Sequence, residues 1–290
     1  MKFTPVLFAL LFALAAQAEV TVTDDTGAVL RLPGPARRIV SLAPHVTEML
    51  YAAGAGGQVV GAVEYSNYPA AALRVTRIGG YSKLDLEAIA ALKPDLAIGW
   101  ESGNAPASVA RLRALGIPVY LSQPERIDDV ARHLERYGEL AGTQATARAA
   151  AAAFRTRLAA LREQYERRPT VRTFYQVWKQ PLLTVGGGQV ISDAIRLCGG
   201  TNVFADLKPL APAVTVEAVL TADPEAVVAS GMDEARPEWL DDWRKWKNMT
   251  AVKRDNLFFI PPDLIQRHTP RIVDGIEQLC AQMESARRRR

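Results

Sequence analysis

In the first half of the chain, short apolar runs typical of strands alternate with segments whose apolar residues have helical spacing. Short apolar runs typical of strands occur at 37–43, 58–63, 95–100 and 117–122. Segments with apolar residues at helical spacing lie at 45–54, 84–93, 108–116 and 127–142. Strands separated by helices in this way predict right-handed βαβ units, and therefore a mostly parallel sheet.

A longer helix is predicted next, at 143–168. This segment contains no Gly or Pro, has Thr143 as its predicted N-cap, and ends before Pro169. At 1.5 Å per residue, about 25 residues form a rod of roughly 37 Å. One apolar face of the rod is predicted to pack on a domain, and it consists of Phe154, Leu158, Leu161 and Tyr165. We expect a stiff connection, since a flexible hinge would be rich in Gly, Ser or Pro.

The second half of the chain returns to alternation. Strand-like runs lie at 171–178, 225–230 and 256–262, and helical segments lie at 190–200, 216–223, 238–249 and 270–285. The predicted fold class is α/β: two lobes, each with a mostly parallel central sheet flanked by helices, joined by one long interdomain α-helix. The predicted boundaries are 19–142 for the N-terminal lobe, 143–168 for the connecting helix and 169–286 for the C-terminal lobe.

One helix-and-strand phrase occurs twice, at an offset of 130 residues. The stretch LDLEAIAALKPDLAI (84–98) aligns with VTVEAVLTADPEAVV (214–228), so that Glu87 pairs with Glu217 and Pro94 with Pro224. The repeat predicts two pseudo-equivalent lobes. A cleft between two lobes is a natural place for a ligand.

The first 18 residues have the pattern of a secretory signal peptide. Lys2 precedes an apolar run at 5–15, and the small residues Ala16 and Ala18 mark a cleavage site after Ala18. We therefore expect an exported, periplasmic protein and exclude 1–18 from the fold. Two cysteines, Cys198 and Cys280, predict a disulfide within the C-terminal lobe, as expected for an exported chain with an even cysteine count.

The formal net charge of +4 is unevenly distributed. Setting aside Lys2 and the four terminal arginines at 287–290 leaves 30 basic residues against 31 acidic ones. The basic tail at 287–290 is interpreted as solvated. Because no basic motif or aromatic-interleaved basic stripe occurs in the body, the composition does not favour a nucleic-acid-binding protein.

Motifs for catalysis are absent from the sequence. No GxSxG, HExxH, P-loop or GxGxxG pattern occurs, and no spaced His, Cys or carboxylate set resembles a metal cage. Gly186 to Gly188 are interpreted as a plain turn, and His133, in a polar helix, as solvated. We therefore expect no enzyme, no resident cofactor and no metal site.

Aromatic residues instead follow three predicted strands of the first half. Tyr65 lies in YSNYP after the second strand, Tyr81 follows a Gly-Gly pair, and Trp100 closes the third strand. Ligands meet parallel sheets at the carboxyl ends of the strands, so the three aromatics predict a binding surface. In the second half, the loop after the last strand carries Asp263, Arg267 and His268. A loop salt bridge is the competing interpretation for these three.

Several segments together resemble a known family. They are RIVSLAPHVTEMLYAAG, YSNYP, LEAIAALKPDLAI, LCGGTNVF and PRIVDGIEQLC. In this order they are similar to the periplasmic cobalamin-binding proteins of ABC importers, whose lobes are joined by one long helix. The resemblance covers essentially the whole chain after residue 18. It implies a monomeric protein that captures a corrinoid and delivers it to a permease dimer.

The resemblance also implies roles for particular residues. Glu87 and Glu217 correspond to the family's two docking glutamates, one per lobe, which meet arginine-lined pockets on the permease. The implied corrinoid pocket consists of Tyr65, Tyr81, Trp100, Leu183, Asp263 and Arg267. The sequence departs from the family pattern where Tyr81 and Ala211 replace tryptophan and Leu183 replaces phenylalanine. These departures predict a less aromatic second-lobe wall, for which Trp178 could compensate, and a pocket that a variant corrinoid would fit.

Three other interpretations remain open at this point. A haem-binding protein of the same class would place Tyr81 or His268 on the iron. A ferric-siderophore-binding protein would offer several arginines, of which only Arg267 is well placed. A remote alternative is an exported enzyme or metal-site protein.

Overall fold

The computed structural model describes residues 19–231 and 235–290. The predicted signal peptide therefore lies outside the described residues. The N-terminal lobe contains β1 (Val20–Thr23), β2 (Val29–Leu32), β3 (Ile39–Ser41), α1 (Pro44–Ala52), β4 (Val59–Ala62), β5 (Thr76–Arg77), β6 (Gly79–Gly80), β7 (Lys83–Leu84), α2 (Leu86–Ala91), β8 (Leu96–Trp100), α3 (Pro106–Ala114), β9 (Val119–Ser122) and α4 (Asp129–Ala141). Its central sheet has the order β5-β4-β3-β8-β9, and every pairing in it is parallel.

The C-terminal lobe has a second parallel sheet, in the order β11-β10-β12-β13. After the connecting helix α5 (Gln144–Tyr165), this lobe contains β10 (Val171–Gln176), α6 (Val190–Leu197), β11 (Gly200–Asn202), α7 (Val216–Ala222), β12 (Ala226–Ala229), α8 (Thr250–Lys253), β13 (Leu257–Phe259), α9 (Pro262–Ile265) and α10 (Ile272–Arg288). The predicted fold class is confirmed. The two sheets correspond strand for strand, except that the first has β5 as an additional edge.

Helix α5 is about 33 Å long at 1.5 Å per residue and is braced against both lobes. Its face with Phe154, Leu158 and Leu161 is buried, as the sequence predicts. A close approach joins it to α4, because a Cβ on Gly138 would lie 2.3 Å from the Cβ of Ala147. Thr143 occupies the N-cap position, as predicted, but its side chain does not cap the helix.

The hydroxyl that was expected to cap α5 has another partner. Thr143 Oγ1 donates to the carbonyl of Ala53 at 2.7 Å, and its side chain makes no cap hydrogen bond. Thr143 therefore ties the start of α5 to the end of α1. Ion pairs then fix the helix to both lobes, from Arg155 to Glu135 at 2.6 Å and from Arg157 to Asp274 at 2.7 Å.

The segment predicted as a helix at 238–249 is of a different type. Residues Glu238–Lys245 form a 3-10 helix, which follows Pro237. Its buried side chains, Leu240 and Trp243, are three residues apart. This spacing matches the three residues per turn of a 3-10 helix, which brings both side chains onto one face.

The repeated phrase forms the same local structure in both lobes. Asp85 caps α2 by accepting from the backbone N–H of Ala88 at 3.0 Å, and Thr215 caps α7 by accepting from that of Ala218 at 3.2 Å. Glu87 and Glu217 are both exposed, each at the second position of its helix. Each lobe therefore presents one exposed carboxylate at an equivalent position on its surface.

Each repeated helix is also locked at its carboxyl end by an arginine. Arg38 Nη2 donates to the carbonyl of Leu92 at 2.7 Å, and Arg172 Nη2 donates to that of Ala222. In both lobes the carboxylate that follows the proline accepts from the same arginine's backbone N–H: Asp95 at 2.9 Å and Glu225 at 3.1 Å. The equivalence of the lobes therefore extends to side-chain contacts outside the repeated stretch.

The predicted disulfide is present. Cys198, at the end of α6, bonds Cys280 in α10, and their Cα atoms are 4.7 Å apart. Both residues are fully buried. The bond closes a loop across 82 residues and lies within the C-terminal lobe.

The arginines at the chain end are bonded to the C-terminal lobe as well as exposed to solvent. Helix α10 runs through to Arg288, two residues beyond the predicted end of the lobe at 286. Arg287 donates to the carbonyls of Pro169 at 2.6 Å and Cys198 at 2.7 Å, and Arg290 pairs with Glu225 at 3.0 Å. These arginines satisfy carbonyls and a carboxylate at the base of the C-terminal sheet.

His133 is also not solvated. It is buried in α4, and its Nε2 lies 2.7 Å from Oδ2 of Asp25. Asp25 lies in the turn between β1 and β2, a hairpin that precedes the first βαβ unit. Because this hairpin folds over α4, it covers a helix face that looks polar in the sequence.

Candidate functional site

A cavity of about 280 Å³ lies between the two lobes. Its volume is near the lower end of ordinary ligand sites. Both lobes contribute to its lining, which consists of Trp100, Ser102, Gln123, Pro124, Val177, Val185, Gly188, Gln189, Ile191, Leu210, Ala211, Gln266 and His268. Among these described lining residues, only His268 has a side chain that can titrate near neutral pH, and none is a lysine, an arginine or a carboxylate. The cavity therefore offers apolar surface, amides and a hydroxyl.

The indole of Trp100 is held in place by the residues that follow it. A Cβ on Gly103 would lie 1.9 Å from Trp100 Cε3, so only glycine leaves room for the ring here. Asn104 Oδ1 accepts from the backbone N–H of Trp100 at 2.7 Å, and Asn104 Nδ2 donates to the carbonyl of Tyr81 at 2.8 Å. The sequence WESGN thus fixes the aromatic wall at the carboxyl end of β8.

Three rings from the two lobes meet beside the cavity. The ring centroids of His45 and Trp100 are 5.3 Å apart, those of His45 and His268 are 5.4 Å apart, and those of Trp100 and His268 are 6.3 Å apart. His45 is the second residue of α1 in the N-terminal lobe, whereas His268 follows α9 in the C-terminal lobe. We call these three residues the ring cluster.

Each member of the ring cluster has a buried polar atom without a hydrogen-bond partner among the described residues. These atoms are His45 Nε2, Trp100 Nε1 and His268 Nδ1. A buried polar group left unpaired costs roughly 1–3 kcal/mol. Such a concentration of unpaired groups next to a cavity indicates a place where a ligand's polar group can bind.

The two imidazoles of the ring cluster are uncharged at neutral pH. Burial, which disfavours the charged ring, lowers the pKa of His268 to about 4. Burial, reinforced by repulsion from His268, lowers the pKa of His45 well below its ordinary value. Each ring therefore offers one N–H donor and one bare nitrogen acceptor.

Glutamines supply further polar groups to the cavity wall. Gln123 Oε1 accepts from the backbone N–H of Ser102 at 3.1 Å, and Gln189 Oε1 accepts from that of Ile191 at 2.5 Å. These bonds fix the orientation of both side chains and engage their oxygens. The NH2 group of each amide takes no part in these two backbone hydrogen bonds.

The rim of the cleft is closed by Arg267. Its guanidinium donates to Oδ1 of Asn67 at 2.6 Å and to the carbonyl of Tyr65 at 3.2 Å, and it pairs with Asp263 at 2.7 Å. Tyr65 has a positive φ of 63° and a side chain that is 74% exposed. The structure thus brings Tyr65, Asp263 and Arg267 together at the rim.

A second interlobe contact lies on α1. Both oxygens of Glu48 accept from Arg271, each at 2.7 Å, and Glu48 is only 2% exposed. The guanidinium of Arg271 lies 3.8 Å from the ring centroid of Tyr68, in the YSNYP loop. Glu48, Arg267, Arg271 and Asp263 together carry no net charge.

The predicted site residues occupy different places around the cleft. Trp100 lines the cavity, and Tyr81 lies beside Trp100 with ring centroids 6.1 Å apart. Leu183 is half-buried next to the wall residue Val185, and its main chain bonds Trp178. Ala211 lines the cavity, so this departure from the family pattern leaves space there. Whether these residues bind ligand stays a prediction.

The sequence of this chain matches a known protein family over most of its length. Residues 39–264 match the family described as periplasmic binding protein. The chain belongs to this family. A vitamin B12-binding protein of Vibrio cholerae is 38% identical over 264 residues, which are 91% of this chain and 95% of that protein.

Solved structures agree with this membership. The crystal structure of the periplasmic vitamin B12-binding protein BtuF of Vibrio cholerae has a TM-score of 0.81 and 38% identity, with 87% of this chain and 98% of that chain covered. The periplasmic heme-binding protein RhuT of Roseiflexus sp. RS-1 has a TM-score of 0.73 and 24% identity, covering 86% of this chain and 99% of that chain. The second likeness shows the fold alone.

Sequence reasoning missed most of the residues that line the cavity. His45 carried one available signal, because Ala43-Pro44-His45 follows the first strand of the sheet, where parallel sheets bind ligands. The glutamines at 123, 189 and 266 lie in separate loops with no motif. Only the fold brings them together.

The described part of the chain contains neither a candidate metal site nor a helix that could span a membrane. Over residues 19–231 and 235–290, no cluster of three or more His, Cys, Asp or Glu side chains could hold a metal ion. None of the helices in those ranges is long and apolar enough to span a bilayer.

Proposed function

We propose that this protein captures cobalamin or a related corrinoid between its two lobes in the periplasm and delivers it to an ABC importer. The predicted signal peptide, the family membership and the 38% identity to the Vibrio cholerae vitamin B12-binding protein support this function. Those relatives are binding proteins, and we propose no catalytic role for this one.

The uncharged lining of the interlobe cavity carries the proposal. A corrinoid presents a broad apolar macrocycle fringed with carboxamide side chains. The indole of Trp100 and the apolar wall of Val177, Ile191 and Leu210 suit the macrocycle, and the glutamines suit the amides. We propose that closure over a ligand this large involves the rim residues Tyr65, Asp263 and Arg267.

A haem-binding function is the second candidate, and one observation favours it. His268 lines the cavity and is uncharged, so its imidazole could bind iron. Haem carries two propionates, however, and no lysine or arginine is among the described lining residues. Ferric siderophores of anionic type meet the same difficulty, since Arg267 is paired with Asp263.

We propose that Glu87 and Glu217 dock the protein onto the permease. Both are exposed at the second position of matched helices, one on each lobe. A permease with two-fold symmetry would offer each carboxylate an equivalent site, and arginines suit such contacts.

Calorimetric titration of the purified 19–290 chain tests the ligand. Cyanocobalamin, haemin and a ferric siderophore should be run in parallel. We expect one-to-one binding of cyanocobalamin at sub-micromolar Kd and much weaker binding of the other two. Saturable haemin binding without corrinoid binding would replace the first candidate by the second.

A further inference from the structure

The ring cluster lies where the two lobes meet, and its polar atoms are not used by the protein itself. Trp100 and His268 line the cavity, and His45 packs edge-on against both. His45 is 6% exposed and His268 is 7% exposed. Because the N-terminal lobe supplies His45 and Trp100 and the C-terminal lobe supplies His268, the cluster is complete only when the lobes face each other.

We infer that His45, Trp100 and His268 form a subsite for one uncharged primary carboxamide of the ligand, and that this subsite rejects corrinoids in which the same amide is a free carboxylic acid. The inference rests on the proposed function. It adds a chemical selectivity that the corrinoid assignment alone does not include.

The hydrogen-bonding inventory of the cluster matches a carboxamide. Indole Nε1–H can only donate, whereas each neutral imidazole has one donor and one acceptor. A primary amide has an oxygen that accepts and an NH2 group that donates. Its oxygen can accept from Trp100 and one imidazole N–H, while its NH2 donates to the bare nitrogen of the other imidazole.

An ionised carboxylate would bind the same place poorly. It can only accept, so the bare nitrogen of an imidazole would face a second electron-rich atom. It would also bury a negative charge, and the described lining residues include no cationic side chain. The guanidinium of Arg267, the residue before His268, pairs with Asp263 at 2.7 Å and lies 3.9 Å from Glu48.

A metal ion is also a poorer occupant than an amide. The indole Nε1–H of Trp100 is a hydrogen-bond donor with no lone pair to offer a metal, and it needs an acceptor. Within the described residues, the two imidazoles are not joined by a third metal-ligating side chain.

Isomeric corrinoids provide the test. The monocarboxylic acids of cyanocobalamin each have one peripheral propionamide hydrolysed, and each can be titrated against the 19–290 chain alongside cyanocobalamin. We expect one isomer to bind at least about tenfold more weakly than cyanocobalamin, since a site built for a hydrogen-bonding group rejects a mismatched analogue strongly. The other isomers should bind within about threefold of it.

Variants then assign the selectivity to the cluster. Trp100→Phe keeps an aromatic face and removes the N–H, so the amide-to-acid ratio for the rejected isomer should fall by about tenfold. His268→Phe should lower the same ratio. Trp246→Phe is the matched control, because Trp246 is partly exposed and is not among the described lining residues of the cavity, and the ratio should not change. If His268→Phe fails to fold, Trp100→Phe still decides the question.

Failure of the carboxamide subsite and failure of the corrinoid function would give different binding results. If cyanocobalamin binds but every isomer binds equally well, or the ratio is the same in Trp100→Phe, the carboxamide subsite is wrong and the corrinoid function stands. The first of these results would fit an ordered water that satisfies the three atoms. If no corrinoid binds the wild-type chain, the proposed function fails and the subsite fails with it.

Discussion

Arg271 and Glu48 join the two lobes through a two-point ion pair, 2.7 Å at each contact. Glu48 belongs to α1 in the first lobe, and Arg271 immediately precedes α10 in the second. The carboxylate is almost fully buried, so its charge depends on its arginine partners for compensation. The pair therefore limits how far the lobes can separate without exposing or orphaning a charge.

Glu48→Ala should destabilise the protein by roughly 3–5 kcal/mol, because it leaves a partly buried arginine without its partner. Urea unfolding of the ligand-free chain measures this. Glu135→Ala is the control: its pair with Arg155 is exposed on both sides and should contribute less than about 1 kcal/mol. Equal losses in the two variants would contradict the structural role given to Glu48.

Replacing Glu87 and Glu217, the two proposed docking residues, should separate transport from binding. We expect the Glu87→Ala, Glu217→Ala double variant to bind cyanocobalamin as the wild type does and to support no uptake by the cognate importer. Each loss from a first helical turn should lower stability by only about 0.3–1 kcal/mol. Binding is measured by calorimetry and uptake in reconstituted vesicles.

The control for the docking experiment is Glu163→Ala. Glu163 is exposed on α5, away from the repeated helices, and its replacement should leave uptake unchanged. A double variant that lost ligand affinity while folding normally would show that the glutamates do not serve docking.

Mild acid should destabilise the protein through His268. Burial lowers its folded-state pKa to about 4, so between about pH 6.5 and 4 the unfolded chain binds a proton that the folded chain does not. Stability is then complete above about pH 6.5 and falls as the pH drops, by on the order of 3 kcal/mol at pH 4. His45, whose pKa is also lowered by burial, adds to the loss in the same direction.

Urea unfolding at several pH values checks this expectation. His268→Gln should flatten the slope between pH 6.5 and 4. The carboxyl group of Asp25 takes up its proton in a more acidic pH range than His268 does. Although burial opposes it, hydrogen bonds from His133 and Arg132 hold the pKa of its carboxyl well below the usual value, so its contribution is lost only in stronger acid. An unchanged slope in His268→Gln would show that His268 is not the group responsible.

Reduction of the disulfide should destabilise the C-terminal lobe. A bond across 82 residues constrains the unfolded chain, which corresponds to about 4–5 kcal/mol in the chain-entropy description. We expect Cys198→Ala, Cys280→Ala to lower the urea midpoint and to match the reduced wild type. A double variant as stable as the oxidised protein would mean that α6 and α10 hold together without the bond.

The alternation of short apolar runs with helical segments was enough to predict both parallel sheets, because it reflects local spacing. The repeat predicted that Glu87 and Glu217 are equivalent, and the caps at Asp85 and Thr215 explain why their helices begin alike. Most of the cavity lining could not be predicted, since residues such as Gln123 and Gln189 lie in segments without a motif that only the tertiary fold brings together.

The misinterpreted residues share one cause. His133 and the arginines at 287 and 290 look solvent-facing in a linear sequence, and each is covered or bonded by an element distant along the chain. The charge pattern of a sequence indicates which side chains can be solvated. It does not indicate which of them form hydrogen bonds with carbonyls or carboxylates of distant segments.

If Glu87 and Glu217 dock the protein as proposed, the equivalence of the two repeated helices would allow docking in either of two orientations. If the permease is a homodimer, turning the binding protein by half a turn exchanges Glu87 with Glu217 and presents nearly the same surface again. Either of the two orientations would then be productive, and a protein with bound ligand could dock on the permease in whichever of them it arrived. Any preference would have to come from residues that differ between the copies, such as Asp85 against Thr215 and Lys93 against Asp223.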